Sequence, residues 1–302
     1  MHEPGAWGHA PVLRDEVVDL LAPRPGSVVL DGTLGRGGHA EAFLQAGAQV
    51  LGLDRDPDAL AACSARLSAW TGGGALTLHH ATFDRAADIL AGRRVDGAFL
   101  DLGVSSPQLD TPARGFSFRA DGPLDMRMDP THGETAAELL DRLDETGLAD
   151  LLWRYGEERQ SRRIARMVVA ARPLRSTGAL ATLCARALPQ ERRIHPATRT
   201  FQALRIAVND ELGQLERALQ VLPECLAPGG RLAILSFHSL EDRMVKQRFR
   251  TLAGEDGPRD LRGRPLVPPR HRLVERRARK GEELDPNPRA RSARLRVLER
   301  LP

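Results

Sequence analysis

The sequence has few cysteines, and none is arranged as in disulfide-rich or zinc-binding proteins. Only three of its 302 residues are cysteine, Cys63, Cys184 and Cys225, and no two have the C-x-x-C spacing. An odd number of widely separated cysteines argues against a disulfide framework and favours a reducing compartment. Residues 1–7 also lack the basic-then-apolar order of a secretory signal peptide. We therefore expect a cytoplasmic protein.

Long apolar runs and lysine are also scarce. No run approaches the roughly 18 apolar residues of a membrane span, so we expect no membrane partner. Lys246 and Lys280 are the only lysines, and arginine carries nearly all the positive charge. Residues 259–300 contain 14 basic and 6 acidic residues, although the whole chain has a formal net charge of only +4. This basic segment is typical of nucleic-acid binding, and the alternative is a solvated surface in an arginine-rich protein.

The strand pattern predicts an α/β fold with a mostly parallel, Rossmann-like sheet. A chain of 302 residues can form one large domain or two modest ones. Five apolar strands alternate with helical patterns, as expected for βαβ units. The predicted strands are 28–31, 50–54, 76–80, 97–101 and 231–236. A last strand, 293–298, alternates apolar residues with arginine, and we expect it to pair antiparallel at the sheet edge.

The remaining pattern is helical and predicts an inserted lobe. Helices are expected at 40–46, 58–70, 239–249 and, as one long amphipathic helix, 201–222. About a hundred residues without a strand pattern precede that long helix, too many for a structureless loop. They contain four helical patterns, at 136–143, 146–155, 158–171 and 177–188. We therefore predict a helical substrate-recognition domain at 110–200, inserted between residues 1–109 and 201–302.

A glycine-rich bend follows the first strand and predicts a nucleoside site. Residues 28–39 read V-V-L-D-G-T-L-G-R-G-G-H, and Asp54 ends the second strand. Glycines allow positive φ and let backbone N–H groups approach a ligand closely. A carboxylate about twenty residues further on can accept both ribose hydroxyl protons. The alternative interpretation is a bend that is rich in glycine for packing alone.

The spacing of the glycines favours S-adenosylmethionine (SAM) over a dinucleotide. Gly35 and Gly37 give G-x-G, but Ala40 stands where the dinucleotide fingerprint requires its third glycine. Asp31 places a carboxylate beside the bend, which suits a cation better than a pyrophosphate. SAM has a sulfonium, an amino group and a ribose but no phosphate. A nicotinamide oxidoreductase is therefore disfavoured.

The fourth strand leads into a segment with features of amine methylation. In an open α/β sheet, ligands bind outside the carboxyl ends of the strands. The sequence Ser105-Ser106-Pro107-Gln108 loosely resembles the Ser/Asn/Asp-Pro-Pro-Tyr/Phe element of nucleic-acid amino-methyltransferases, with serine at the second position and glutamine at the fourth. Oxygen acceptors there would hold the N–H groups of the reacting amine. Phe116 or Phe118 would then supply the missing aromatic contact with a base.

Taken together, these motifs resemble the ribosomal RNA small subunit methyltransferase H family, also called MraW. The matching stretches run in one order along nearly the whole chain: 9–13, 31–39, 54–57, 101–110, 114–118, 121–129, 156–159, 195–201, 236–243 and 287–292. The weakest coverage is at 254–284. The resemblance implies a SAM-dependent methyltransferase that modifies the N4 amine of a cytidine in 16S rRNA near the decoding centre. The partner that it implies is 16S rRNA within the small ribosomal subunit.

The predicted site combines the residue patterns with this resemblance. The cofactor-binding candidates are Gly35, Gly37, Gly38, His39, Asp54, Phe83, Asp101 and Gln108. The catalytic candidates are Ser105, Ser106 and His238. For three of these residues a structural role is an open alternative: a local hydrogen bond for His39, core packing for Phe83 and a loop hydrogen bond for His238. We predict no metal.

Two further patterns have two interpretations each. Arg159, Arg162, Arg163 and Arg166 share one face of the helix predicted at 158–171, either as a ridge that grips phosphates or as a solvated face with ion pairs. Asp125 and Asp129 have the spacing of a helix face, for which ion pairs to Arg119 or Arg127 are favoured over a metal. Because aromatic residues make up only 4% of the chain, we expect backbone and shape contacts to dominate RNA recognition. A non-catalytic ribosome-assembly factor and a DNA amino-methyltransferase are the rival functions.

Overall fold

The chain folds into two compact units in the computed structural model. The model describes residues 11–188, 194–260, 262–263, 265–281 and 290–302. One unit consists of Met1–Gly103 with Gly213–Pro302, and the other is Val104–Leu212. The insertion predicted at 110–200 lies inside the second unit. Of the matching motifs, residues 9–10 and 287–289 lie outside the described residues.

The first unit contains the sheet. Its strands are β1 (Val28–Asp31), β2 (Gln49–Asp54), β3 (Leu76–His80), β4 (Val95–Asp101), β5 (Leu226–Ser236), β6 (His271–Leu273), β7 (Arg279–Lys280) and β8 (Arg294–Arg300). The strand order is β3-β2-β1-β4-β5-β8-β6, and β7 also pairs with β8. The strands β1 to β5 are parallel to one another. All five predicted parallel strands are therefore confirmed, as is the α/β fold class.

The last predicted strand pairs as expected but lies in a different place. β8 is antiparallel to β5, with Ser236 opposite Arg294, so the predicted direction is correct. The prediction that it forms the sheet edge is wrong, because β6 and β7 pair with its other side. Those two strands have only three and two residues, too few to show an alternating pattern. They lie in the basic segment, of which residues 261, 264 and 282–289 are outside the described part of the chain.

Thirteen α-helices are found in the described ranges. They are α1 (Arg14–Leu21), α2 (Gly38–Gln45), α3 (Pro57–Arg66), α4 (Ser68–Gly72), α5 (Ala86–Leu90), α6 (Ser106–Asp110), α7 (Ala136–Arg142), α8 (Glu145–Gly156), α9 (Ser161–Ala170), α10 (Thr177–Ala187), α11 (Thr198–Val208), α12 (Glu211–Cys225) and α13 (Ser239–Leu252). The helix predicted at 58–70 is two helices, α3 and α4, separated at the buried Leu67. None of the described helices is long and apolar enough to cross a membrane.

Both faces of the sheet are covered by apolar side chains. Phe99 in β4 packs into one cluster with Phe43 of α2, whereas its neighbour Leu100 packs into a second cluster with Phe249 of α13. Successive side chains of a strand point to opposite faces, so one strand supplies both clusters. Burial on both faces explains the continuous apolar runs in β1, β2, β4 and β5, whereas β3, at the end of the strand order, reads L-T-L-H-H and is only partly buried.

The second unit is helical and has a core of its own. Ile164 and Val168 of α9 are buried in that core with Leu148 and Leu152 of α8. Of the four arginines predicted to share the opposite face, Arg162, Arg163 and Arg166 lie on α9 and Arg159 precedes it, and all four are exposed. Arg166 lies 3.5 Å from a carboxylate oxygen of Glu145, so part of this face forms an ion pair. The predicted division of α9 into an apolar and a basic face is confirmed.

The single helix predicted at 201–222 is wrong, because the chain breaks at Asn209. The side-chain amide of Asn209 donates to the carbonyl oxygen of Met126, at 2.7 Å, and to that of Arg205, at 2.9 Å. Its oxygen accepts a hydrogen bond of 2.7 Å from the backbone N–H of Met128. Asp210 then adopts a φ of 47°, which ends the regular helix. The break therefore places one buried amide where it anchors the distant loop at 126–128.

Replacing this amide tests its structural role. We expect Asn209→Ala to lower the free energy of unfolding by about 2 to 4 kcal/mol, because the carbonyl of Met126 and the N–H of Met128 lose their buried partners. Urea unfolding measures the change. Gln220→Ala, an exposed substitution on α12, is the matched control and should change stability by less than about 0.5 kcal/mol. Equal stabilities of the two variants would contradict the role of Asn209.

Candidate functional site

Three carboxylates lie at the carboxyl ends of adjacent parallel strands. Asp31 ends β1, Asp54 ends β2 and Asp101 ends β4. Asp31 is 1% exposed, and its carboxylate accepts a hydrogen bond of 3.2 Å from the N–H of Thr33. Burial, with further repulsion from Asp101 and Asp54, raises the pKa of Asp31 to about 8. This edge therefore holds negative charge that a bound cation would stabilise.

Backbone and side-chain hydrogen bonds fix the glycine-rich bend to the neighbouring strands. The N–H of Gly35 donates to Oδ2 of Asp54 at 2.6 Å, and the N–H of Asp56 donates to Oδ1 of the same carboxylate at 2.8 Å. Burial raises the pKa of Asp54, and these two N–H groups oppose that shift. The Asp54 side chain is thus held in one orientation while remaining partly exposed.

The glycines of the bend differ in the space that a side chain would have at each position. Gly35 has a φ of +53°, and a Cβ added there would meet no atom within 4 Å. At Gly37, with a φ of +81°, a Cβ would lie 2.7 Å from Sγ of Cys63. At Gly38 it would lie 2.6 Å from Cγ of Pro11. Packing therefore explains Gly37 and Gly38, whereas Gly35, whose N–H is bonded to Asp54, leaves the space beside its Cα open to a ligand.

His39 is a buried, neutral imidazole beside Asp101. Its Nε2 lies 3.1 Å from the carbonyl oxygen of Val12, to which it donates, and its ring packs against Phe99. Burial lowers the pKa of His39 to about 4. The remaining nitrogen, Nδ1, is then an acceptor, and it lies 3.8 Å from Oδ2 of Asp101. Two acceptors at this separation suit a shared donor such as an ammonium group. The contact with Val12, 27 residues earlier in the chain, is not the local hydrogen bond at the helix start that was the alternative for His39.

Thr33 and Phe83 complete the surroundings of the bend. Oγ1 of Thr33 accepts a hydrogen bond of 2.6 Å from the N–H of Asp101, which connects the bend to β4. Phe83 lies in a 3₁₀ turn after β3, and a Cβ at Gly32 would be 2.9 Å from Cβ of Phe83. Thr33 is not among the residues predicted for the site. Its position two residues after the end of β1 is the signal that could have placed it in the bend. Phe83 is half-buried, so it packs on the core and borders the bend at once.

The predicted residues after β4 belong to the helical unit, where they form a helix cap. Oγ of Ser105 accepts from the N–H of Gln108 at 3.4 Å, and Oε1 of Gln108 accepts from the N–H of Ser105 at 3.0 Å. Ser106 is the first residue of the short helix that this capping box begins. Gln108 is buried, and the two hydrogen bonds described for it are those of the cap. The sheet unit brings together Gly35, His39, Asp54, Phe83 and Asp101, while Ser105, Ser106 and Gln108 stand on the other unit.

His238 follows β5 and faces one carboxylate. Its Nδ1 accepts from the N–H of Glu241 at 3.4 Å, and its Nε2 lies 3.1 Å from Oε1 of Glu241. The same buried carboxylate accepts hydrogen bonds from the N–H groups of Phe237 and His238. These contacts support the structural alternative for His238, a residue that orders the loop after β5.

Two other predicted features have structural explanations. The guanidinium of Arg127 donates two hydrogen bonds of 2.8 Å to the carboxylate of Asp125. This is one of the ion pairs that the sequence favours over a metal. Within the described residues, no cluster of three histidine, cysteine, aspartate or glutamate side chains is arranged to hold a metal ion. Phe116 is only 6% exposed and packs in the helical core. The expectation that Phe116 stacks on a base is therefore wrong, because its faces are covered.

The geometry of the sheet unit fits SAM. Converging carboxylates suit a cation, a fixed carboxylate suits a ribose diol, and an open glycine backbone suits close approach of the ligand. A Rossmann-like sheet with this edge defines the class of SAM-dependent methyltransferases.

Comparison with known proteins identifies the family within that class. The chain matches the MraW methylase family over residues 6–301, and it belongs to that family. It is 53% identical to a Ribosomal RNA small subunit methyltransferase H from Rhodospirillum centenum, over 97% of this chain and 92% of the relative. A protein of the same name from Synechococcus elongatus is 48% identical, over 99% and 97%. An rRNA methylase structure from Streptococcus thermophilus is 14% identical, covers 96% of this chain and 94% of its own, and has a TM-score of 0.44. A likeness of that size carries no functional information.

The two kinds of glycine can be separated by experiment. We expect Gly37→Ala to lower the free energy of unfolding by about 3 kcal/mol, because its Cβ would overlap Cys63 and Leu67 at positive φ. Gly35→Ala has the positive φ without the overlap and should cost about 1 kcal/mol. Thermal and urea unfolding of the cofactor-free proteins measure both. A larger loss for Gly35→Ala would contradict the packing explanation.

The raised pKa of Asp31 predicts a specific pH dependence. The folded protein keeps the proton of Asp31 up to about pH 8, whereas the unfolded chain releases it near 3.8. The contribution of Asp31 to the free energy of unfolding is therefore full below about pH 3.8. It falls as the pH rises towards 8, by up to about 1.4 kcal/mol per pH unit. Urea unfolding at pH 5, 6 and 7 should show the wild-type protein losing stability relative to Asp31→Asn. A constant difference between the two proteins would refute the buried, protonated carboxyl.

Proposed function

We propose that this protein transfers a methyl group from SAM to the N4 amine of a cytidine in 16S rRNA, near the decoding centre. The observation that carries the proposal is the high identity, over nearly full length, to relatives named Ribosomal RNA small subunit methyltransferase H. The cofactor-fitting edge of the sheet unit supports the chemistry. Because ribosomal RNA is a cytoplasmic molecule, the proposal implies a cytoplasmic enzyme that works on the small subunit or its RNA.

We assign the cofactor contacts to the bend and the strand ends. Asp54, held by two backbone N–H groups, would accept the ribose hydroxyl protons. Phe83 would border the adenine. Asp101 and Nδ1 of His39 would receive the amino group, and Gly35 would admit the ligand against bare backbone. Gly37 and Gly38 would contribute by setting the start of α2. When bound, SAM supplies an electrophilic methyl carbon.

The residues after β4 are assigned to the amine. Ser105 and Ser106 follow Asp101 by four and five residues, and the capping box holds Ser105 and Gln108 in a fixed local geometry. Their hydroxyl oxygens and neighbouring carbonyls would accept the N–H groups of the cytidine amine. Such acceptors favour rehybridisation of the nitrogen lone pair, which is otherwise delocalised into the ring. Gln108 would act through the cap.

The proton released from the amine does not need a strong base. Both ring nitrogens of His238 face Glu241, which favours an ordering role over proton transfer for this residue. His238→Ala should then lower stability and turnover together, without shifting the pH profile of the reaction.

The RNA has to present an unstacked base. Extruding a paired or stacked cytidine costs a few kcal/mol, which phosphate contacts and stacking must offset. Exposed arginines on α9 and in the basic segment provide phosphate contacts whose strength falls with salt. This explains why the arginine faces and the methylation chemistry occur on one chain.

One assay separates the proposed function from its rivals. The full chain is incubated with labelled SAM and either naked 16S rRNA, small subunits, or DNA of matching sequence, and the product is digested to nucleosides. We expect labelled N4-methylcytidine from the RNA or the subunits. Binding without any turnover would indicate an assembly factor, and label in the DNA alone would indicate a DNA methyltransferase.

The ribose assignment has its own test. Asp54→Asn replaces one acceptor oxygen with an NH₂ group and removes the charge, so we expect at least a tenfold loss of SAM affinity by calorimetry. Asp58→Asn, an exposed change on α3, is the control and should bind SAM as the wild type does. Native affinity of Asp54→Asn would exclude Asp54 as the ribose partner.

A further inference from the structure

His195 presents an exposed ring that is stacked on an aromatic side chain of the helical unit. The ring centroids of His195 and Phe118 are 4.4 Å apart, and the planes are inclined by 28°. Phe118 in turn meets the ring of Phe201 edge-on, at 4.9 Å. Phe201 is buried in the helical core, whereas His195 is exposed. The three rings thus form a stack that begins in the core and ends at the surface.

A hydrogen bond fixes the rotation of the exposed ring. The backbone N–H of Ala197 donates to Nδ1 of His195 at 3.1 Å. A nitrogen that accepts this bond carries no hydrogen, so the hydrogen is on Nε2, which is a donor. One face of the ring is covered by Phe118, and the exposed side chain offers its other side to solvent. The imidazole is therefore held in place before any ligand arrives.

The exposed histidine lies on a ring that is itself only half-buried. Phe201 is buried in the core, whereas Phe118 is half-buried and carries His195 on its outer side. A ring that is already immobilised loses little conformational freedom when a second planar group stacks on it.

Positive charge flanks the stack. Arg119 follows Phe118 directly and is exposed. Arg199 lies one helical turn after His195, and its Nη1 donates to the carbonyl oxygen of Glu157 at 3.0 Å. A planar ring with a donor at its edge and guanidinium groups nearby matches an unpaired nucleobase and its phosphates.

We propose that His195, supported by Phe118, is a stacking platform for an unpaired base of the RNA substrate. This inference rests on the proposed function for the identity of the RNA. It adds a substrate-binding residue to the helical unit and gives Phe118 the role of supporting the platform. The Nε2 hydrogen points outward in the plane of the ring and would donate to a ribose or phosphate oxygen beside the stacked base, while Arg119 and Arg199 would lie near its phosphates.

The test compares ring removal with ring replacement in the full-length protein. His195→Ala and His195→Gln remove the ring, and the glutamine keeps a polar side chain of similar length. His195→Phe keeps a stacking ring. His132→Ala is the matched control, because His132 is an 80% exposed histidine of the same unit whose hydrogen bond is to Thr131. Dissociation constants for a 16S rRNA fragment are measured by filter binding, with SAM affinity and thermal midpoints beside them.

We expect the alanine and glutamine variants to bind the RNA about five- to a hundredfold more weakly, with SAM affinity unchanged. His195→Phe should stay within about threefold of the wild type, and His132→Ala should equal it. In turnover assays the loss should appear in KM for the RNA. A purely structural histidine would instead lower the thermal midpoint and leave the RNA affinity of the folded glutamine variant unchanged.

The outcomes separate this inference from the proposed function. Wild-type RNA affinity in folded His195→Ala or His195→Gln overturns the platform, even if methylation is normal. A loss in His195→Phe as large as in His195→Ala also overturns it, because stacking would then not be the interaction. Absence of methylation by the wild-type protein would refute the proposed function, while the binding constants would still decide the role of His195.

Discussion

The hydrogen bond of 2.6 Å from the N–H of Gly35 to Asp54 connects the glycine bend to the second strand. It holds Gly35 at positive φ with its backbone open, and it orients the carboxylate that ends β2. The bond from Asp101 to Thr33 connects the same bend to β4. Because the bend is fixed on both sides, the positions of His39, Phe83 and the three strand-end carboxylates follow from it. A short loop thus becomes a rigid cofactor edge.

The sequence predicts the parallel part of the sheet well for a physical reason. Strands buried on both faces must be largely apolar, so β1, β2, β4 and β5 contain short continuous apolar runs between turns, whereas β3 is marked only by Leu76 and Leu78. β6 and β7 contain no such run, because two or three residues rich in arginine have no periodicity to detect. Because β6 and β7 are not detected in the sequence, β8 is predicted to be an edge strand. The error about β8 therefore originates in its neighbours and not in its own pattern.

The long helix failed as a prediction because periodicity is blind to long-range hydrogen bonds. Apolar residues continue at helical spacing from Phe201 to Leu222, across the break. What breaks the helix is the bonding of Asn209 to residues about eighty positions earlier in the chain. Local pattern contains no information about that partner. The same limit applies to Phe116 and Phe118, two residues apart, of which one is buried and the other supports an exposed ring.

The sequence predicts where the candidate site lies but not what each of its residues does. Strand-end positions and glycine content locate the edge, since the carboxyl ends of parallel strands meet there. The sequence does not say that Gly37 and Gly38 are glycine because Cys63 and Pro11 leave no room. Ser105 to Gln108 also have the S-x-x-Q pattern of a capping box. This pattern predicts the start of a helix, which is what the structure has there.

The convergence of Asp31, Asp54 and Asp101 has a consequence for the persistence of the enzyme in a cell. Burial and the neighbouring acidic groups keep Asp31 protonated below about pH 8 in the cofactor-free protein, and a bound cation would favour its charged form. A ligand that binds only the native state adds stability in proportion to the logarithm of its concentration. The fraction of molecules that escapes proteolysis is thereby coupled to the supply of methyl donor.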